Sequence, residues 1–295
     1  RFFFTYLLSK FNLKVTPELV RYHVYRTWIE NDDIKKIEVI NKKRLKILVY
    51  VGLDLLGDAL LKIPFLNYLR KTFPNSEITW MAGKGETLFY SKLKPLSKGL
   101  IDKILNNYKY GSSYLDFFKS KTEEYDIVID TQKKILTTLI LKKIKSKIFI
   151  SSSANFFLSD LIPLNTNEKN LSKSLVNLVE VFNQKKINFK TQLTLKKSTK
   201  IAICPGASVI WKRWALENFI EISQHLIKIK LTPLFILGPK EKNIERSIKR
   251  ELGSKVEILI TNDPMETINI AKSCKAGISN DTGCGHLIGL SGIPI

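Results

Sequence analysis

The run Ile278-Ser279-Asn280-Asp281-Thr282-Gly283-Cys284-Gly285-His286-Leu287 gathers side chains that suit a phosphate-bearing ligand. Residues 276–279 read as the tail of a short buried strand, and His286-Leu287-Ile288-Gly289-Leu290 as the first apolar turns of a helix. A tight polar corner lies between them. Asp281 and Thr282 are favoured N-caps, because their side-chain oxygens accept the free N–H groups of a first helical turn. Gly283 and Gly285 leave that turn uncovered, so a ligand can approach the backbone closely. A helix start also presents free donors and the positive end of the macrodipole, which suits a diphosphate. The same residues equally make an ordinary capped helix after a strand, and the segment alone does not choose.

The elements that would position this corner follow an alternating pattern from residue 45 onward. Residues 46–52 form a buried-strand run, followed by the loop Leu53-Asp54-Leu55-Leu56-Gly57 and a helix over 58–73 closed by Pro74. Strands are expected at 77–82, weakly at 101–105, at 125–130 and at 147–150, with helices over 132–144 and 169–182. Residues 187–200 are polar and lysine-rich, and read as a linker. A second alternation then runs through strands at 200–204, 234–237, 256–260 and 275–279, with helices over 215–229, 240–252 and 265–274. Strands alternating with helices imply right-handed crossovers and parallel sheets, which bind ligands beyond the C-terminal strand ends. Asp54, Asp58 and Asp130 would all lie there in the first sheet.

Composition narrows the function. A chain of 295 residues with 44% hydrophobic content accommodates two α/β domains. No apolar run reaches the roughly eighteen residues that a spanning helix requires. Three cysteines without a CxxC pair, and three distant histidines, argue against a disulfide framework or a zinc site and fit a reducing cytoplasm. The net charge of +21 raises nucleic acid or an anionic membrane as partners. Its lysines are spread along the whole length, as in Lys35-Lys36, Lys142-Lys143 and Lys196-Lys197, whereas a nucleic-acid reader concentrates basic and aromatic residues in a stripe. Nucleic acid is therefore not the expected partner. Gly83-Lys84-Gly85 lacks the third glycine of a dinucleotide fingerprint, and neither a Walker loop nor a Gly-x-Ser-x-Gly elbow occurs. Residues 1–44 show no chemistry, with a helix expected at 16–30, and form an N-terminal extension of unassigned role. The opening at Arg1 and the stop at Ile293-Pro294-Ile295, which looks like the start of another strand, predict a piece of a longer chain with an incomplete second sheet.

Three segments together resemble glycosyltransferase family 9, the ADP-heptose:lipopolysaccharide heptosyltransferases. They are Asp54-Leu55-Leu56-Gly57-Asp58 through Ile63-Pro64, Cys204-Pro205-Gly206-Ala207-Ser208 with Lys212-Arg213-Trp214, and Ser279-Asn280-Asp281-Thr282-Gly283 with His286-Leu287. A fourth, weaker match is Tyr125-Asp126-Ile127-Val128-Ile129-Asp130-Thr131-Gln132. The resemblance implies a GT-B fold: two Rossmann-like domains with parallel sheets facing across a cleft. The acceptor domain would span 45–187 and the donor domain 188–295. It implies inverting transfer of a heptose, or a related sugar, from ADP-heptose to an inner-core lipopolysaccharide acceptor, by a cytoplasmic enzyme at the inner-membrane surface.

By this resemblance Asp58 is the general base, against the alternative of an N-terminal helix acid that complements the dipole. Lys212 would bind the donor diphosphate with Ser208 beside it, Asp281 would hold sugar hydroxyls, and Thr282 and Gly283 would meet the phosphates. His286 either reaches the ligand or caps the core. Glu241 is either a ribose ligand or a solvated helix-start acid. Asp54, Gln132 and Lys133 fall on the acceptor side, where Gly52 replaces an arginine frequent among relatives and Lys133-Lys134 replaces glycine. No obligatory metal or other cofactor is expected, the nucleotide sugar being a co-substrate. Two other readings compete: a silent nucleotide-sugar or nucleic-acid binding protein, and the same fold acting on another nucleotide sugar.

Overall fold

The computed structural model describes residues 44–119, 123–163, 165–182, 197–207 and 209–295. The expected helix at 16–30, most of the expected linker and Ser208 lie outside the described residues. The described chain divides into two compact units. The first takes residues up to Asp54, then Pro64–Thr87, then those from Lys98 to the end of its last helix. The second takes Leu55–Ile63, Leu88–Ser97 and the residues from 197 onward.

In the first unit the strands are β1 (Lys46–Val51), β2 (Glu77–Ala82), β3 (Lys103–Leu105), β4 (Tyr125–Asp130) and β5 (Ser146–Ser151). They form one sheet in the order β3-β2-β1-β4-β5, every pair parallel. Central strands of such a sheet are covered on both faces, which is why Ile47-Leu48-Val49-Tyr50-Val51 and all six residues of β4 are buried without alternation. Leu48, Tyr50, Val128 and Phe149 pack on one face with Tyr110, Ile140 and Leu141.

The second unit repeats the plan with β6 (Lys200–Cys204), β7 (Thr232–Leu237), β8 (Glu257–Ile260) and β9 (Ala276–Ser279), ordered β8-β7-β6-β9 and again all parallel. Its two faces separate by residue parity, as a pleated strand requires. Ala202, Cys204, Leu234 and Ile236 pack with Ala271, Cys274 and Ile288, while Ile201, Ile203, Phe235 and Leu237 pack with Phe219, Ile248 and Leu252. At the C-terminal edge the Gly277 N–H donates to the Pro294 carbonyl at 2.8 Å and Ile293 is buried, so the final residues run beside β9.

The helices, in chain order, are α1 (Leu56–Leu61), α2 (Ile63–Thr72), α3 (Lys94–Ser97), α4 (Ile135–Leu141), α5 (Leu171–Glu180), α6 (Leu216–Lys228), α7 (Glu245–Leu252), α8 (Pro264–Ala271) and α9 (Gly283–Leu290). Two differ from expectation for local reasons. The single helix expected over 58–73 is broken at Lys62, because Pro64 has no N–H to give to Leu60. The helix expected over 240–252 begins as a 3-10 turn, Pro239–Ile244, in which the Glu241 carboxylate turns back onto the Gly238 N–H at 2.5 Å. α8 starts as its sequence suggests, with the Asp263 carboxylate accepting from the Met265 N–H and Pro264 at the first position.

Candidate active site

Adjacent strands β6 and β9 carry Cys204 opposite Ser279, so the loops that leave them emerge side by side at the C-terminal sheet end. Asn280 ties these loops together. Its Nδ2 donates to the Pro205 carbonyl at 2.7 Å, its Oδ1 accepts from the Trp214 N–H at 3.1 Å, and its own N–H reaches the Cys204 carbonyl. A buried amide that satisfies both strand-exit loops fixes their spacing. Sequence reading gave Asn280 no role; an Asn directly before the Asp-Thr corner, at a strand end, was the available signal. Arg213 braces the loop after β6 internally, from Nε to the Ala207 carbonyl at 3.0 Å.

On this frame Lys212 and Asp281 come together, with Nζ 2.6 Å from Oδ2. The Lys212 ammonium, through its hydrogen bond and its charge, holds the Asp281 carboxyl below the usual carboxylate range. Both groups are solvent-accessible, Asp281 to 72%, so the pair can open toward a ligand at little cost.

Thr282 sits at the N-cap of α9 with extended backbone, yet makes no capping hydrogen bond. Its Oγ1 is buried and has no protein partner. The expected cap is therefore absent, and the first turn of α9 keeps donors that a capping side chain would have occupied. A phosphate oxygen satisfies both needs, accepting from the hydroxyl and from the helix start.

The start of α9 is met closely by α1. A methyl group on Gly283 would fall 2.7 Å from Leu56 Cδ2, and one on Gly57 would fall 3.0 Å from His286 Cδ2. The two glycines thus leave room for the Leu56 and His286 side chains at this contact. Asp58, in the first turn of α1 and exposed, is thus next in sequence to a residue that touches His286. His286 is half-buried against Gly57, with Nε2 4.0 Å from Asp281 Oδ1. Glu241 lies against the backbone of Gly206 while bonding Gly238. Its carboxylate is thereby placed beside the same loop, and Lys212, Glu241, Asp281, Thr282, Gly283 and His286 all belong to the second unit together with Asp58.

Asp54, Gln132 and Lys133, expected on the acceptor side, belong to the first unit and are disposed differently. Asp54 is buried, its Oδ2 accepting from Trp80 Nε1 at 3.1 Å and Thr87 Oγ1 at 3.0 Å. That carboxylate anchors the loop after β1 and faces inward. The Gln132 side chain lies against Gly52, filling space beside the glycine, and Lys133 is exposed. Asp130 is fully buried and accepts from Thr138 Oγ1, Ser151 Oγ and the Gln132 N–H. Burial pushes its carboxyl up to about 6 in spite of those three donors.

One expectation fails outright. Cys204, at the end of β6, and Cys284, in the first turn of α9, form a disulfide with Cα atoms 6.4 Å apart. The two are 80 residues apart in sequence and meet only because β6 and β9 are neighbours, a proximity invisible to a spacing rule. Cys274 is free and buried. Among the described residues no group of three or more His, Cys, Asp or Glu side chains could hold a metal ion, and no helix is long and apolar enough to cross a membrane.

The sequence model of glycosyltransferase family 9 (heptosyltransferase) matches residues 166–288, which contain Lys212, Glu241, Asp281, Thr282, Gly283 and His286. No curated protein sequence matches the chain. Among solved structures, a glycosyl transferase family 9 protein from Veillonella parvula DSM 2008 superposes with a TM-score of 0.62 at 20% identity, covering 85% of this chain and 80% of that one. Escherichia coli heptosyltransferase WaaC with ADP gives 0.62 at 16% identity, with 85% and 86% covered. The E. coli ADP-heptose lps heptosyltransferase II gives 0.54 at 17% identity, with 85% and 83% covered. The two parallel sheets thus have the GT-B architecture, and the C-terminal part of the chain, residues 166–288, resembles glycosyltransferase family 9.

Proposed function

We propose that the chain transfers a heptose, or a closely related sugar, from ADP-heptose to a hydroxyl on a lipopolysaccharide inner-core acceptor, with inversion. In that step the acceptor oxygen attacks the anomeric carbon from the face opposite the diphosphate. The bond from that carbon to the diphosphate oxygen breaks, ADP departs with the bonding pair, and Asp58 takes the acceptor proton. Positioned proton transfer of this kind is worth about 10²–10⁴ in rate. Lys212, the Thr282 hydroxyl and the start of α9 meet the charge that gathers on the diphosphate. Asp281 is released from Lys212 to accept from sugar hydroxyls, and Glu241 accepts from the ribose. Asp54 holds the β1 loop for the acceptor side, and Gln132 and Lys133 border it.

The single observation that carries this reading is the unpartnered Thr282 hydroxyl at an uncapped helix start, beside the accessible Lys212–Asp281 pair. The solved relative bound to ADP supports the choice of nucleotide. The enzyme would act in the cytoplasm, peripheral to the inner membrane where its acceptor is borne.

A thermal-shift panel with ADP-heptose, ADP, UDP-sugars, GDP-sugars and a short DNA duplex tests it. A ligand at 100 times its dissociation constant adds about 2.7 kcal/mol of stability. Shifts with ADP and ADP-heptose alone are expected, and Lys212→Ala should abolish most of both. A response only to UDP- or GDP-sugars changes the donor, and one only to DNA removes the transferase reading of this site.

A further inference from the structure

The first unit carries an apolar face that its own packing does not cover. In α4 both sides carry apolar residues: Thr137, Thr138, Ile140 and Leu141 point inward, while Ile135, Leu136 and Leu139 are exposed. The inward threonines are held by specific bonds, Thr137 Oγ1 to the Gly111 carbonyl at 2.7 Å and Thr138 Oγ1 to Asp130 at 2.8 Å. The helix therefore cannot rotate to bury Leu136 and Leu139 without breaking these bonds and exposing Ile140 and Leu141. Next to it the 3-10 turn Tyr114–Phe118 exposes Tyr114, Leu115, Phe117 and Phe118, the last to 82%. The two elements are joined by Lys143, whose Nζ bonds the Phe117 carbonyl and lies 4.7 Å from the Phe117 ring centre.

Lysines frame this face. Lys133 and Lys134 precede α4, Lys142 and Lys143 follow it, and Lys119 follows the aromatic turn, all exposed. Two of these lysines are paired, Lys119 with Asp116 and Lys142 with Asp160, and among the described residues Lys133, Lys134 and Lys143 have no carboxylate partner. Exposed aromatic and aliphatic side chains ringed by lysines match a bilayer interface, where rings enter the headgroup boundary and ammonium groups meet anionic lipid. A second copy fits poorly, since a self-complementary contact on this face would set lysine against lysine in a chain of net charge +21.

We propose that the face formed by Tyr114–Phe118 and the outer side of α4 docks the protein on an anionic membrane surface. The face adjoins Gln132 and Lys133, so docking would present the acceptor-side loop to a lipid-borne substrate. That consequence rests on the acceptor assignment above; the docking itself does not.

Co-sedimentation of the full chain with phosphatidylcholine vesicles, with and without phosphatidylglycerol, tests it in the absence of donor and acceptor. Binding is expected only with phosphatidylglycerol and should weaken as salt rises. Phe118→Ser combined with Leu136→Ser and Leu139→Ser should lower the partition coefficient at least about tenfold, with the melting midpoint within a few degrees of the parent. Lys134→Gln with Lys143→Gln, which removes no apolar side chain, should flatten the salt dependence even if the triple variant fails to fold. Parent protein that does not sediment with anionic vesicles overturns the proposal, whether a second copy or another part of the chain covers the face. So does unchanged binding by either variant. A donor panel that fails while vesicle binding persists removes the transferase substrate and leaves the membrane face standing.

Discussion

Both units place carboxylates at the C-terminal ends of parallel strands, yet only the second leaves them open to a ligand. In the first, Asp54 and Asp130 are buried and surrounded by donors from the protein itself: Trp80 and Thr87 for one, Thr138, Ser151 and the Gln132 N–H for the other. In the second, Asp281 is exposed and shares a single lysine, and the hydroxyl beside it has no partner at all. A carboxylate satisfied from within holds a loop in place, whereas one with spare lone pairs and a mobile partner can exchange them for substrate. The difference is that between scaffold and chemistry, and it can be attacked from either side.

The largest effect is expected at Asp58. Asp58→Asn should lower transferase turnover by about 10²–10⁴ while the ADP-induced thermal shift is unchanged. Because the side chain is exposed, stability should move by less than about 0.5 kcal/mol. Full turnover in the variant would return Asp58 to the role of a helix-start acid.

Asp54 should behave oppositely. Asp54→Ala strips the acceptor from two buried donors, and urea unfolding should show a loss of about 1–3 kcal/mol. ADP affinity, measured on protein still folded, should stay at the parent value. A variant that keeps its stability would show that the Trp80 and Thr87 bonds do not anchor the loop.

How far these roles could be read in advance depends on what sets them. The two sheets were legible because buried parallel strands have continuous apolar runs, as in 47–51 and 127–129. Lys212 and Asp281 were singled out by their motifs, and the structure brings the two side chains together. Asp54 was not, since its neighbours Trp80 and Thr87 come from chain 26 and 33 residues away and nothing in the local sequence announces them. The Cys204–Cys284 bond failed for the same reason over a longer distance. Thr282 shows a subtler limit: residue type and position named it an N-cap, but the cap bond depends on a side-chain rotation that sequence does not record.

Asp130 supplies a pH-dependent version of the comparison. Its folded-state value of about 6 lies above the 3.8 of an ordinary Asp, so the native state binds a proton there that the unfolded chain has already lost. The stability this contributes is complete below about pH 4 and disappears as pH rises through 6. Asp130→Asn cannot ionise. Relative to the parent it should gain about 2–3 kcal/mol between pH 4 and pH 7, as read by denaturant midpoints at both values. A difference that is flat with pH would mean that the three donors fully compensate for burial.

The smallest effect should be the most discriminating. Thr282→Val keeps the shape of the side chain and removes only the hydroxyl, which makes no bond in the ligand-free protein. Most buried hydroxyls are costly to delete because a partner is left behind; here none is, so apo stability should hold or rise slightly. If the hydroxyl is reserved for a diphosphate oxygen, its loss should appear only on binding, as a weakening of ADP by about 0.5–1.5 kcal/mol, or roughly 2- to 12-fold in dissociation constant. Calorimetric titration of ADP into both proteins resolves a change of that size. A variant that loses apo stability and binds ADP as tightly as the parent would place Thr282 with Asp54, among the groups that hold the fold. A variant stable when empty and weaker when liganded would separate the roles of Thr282 and Asp54 by the loss of one hydroxyl.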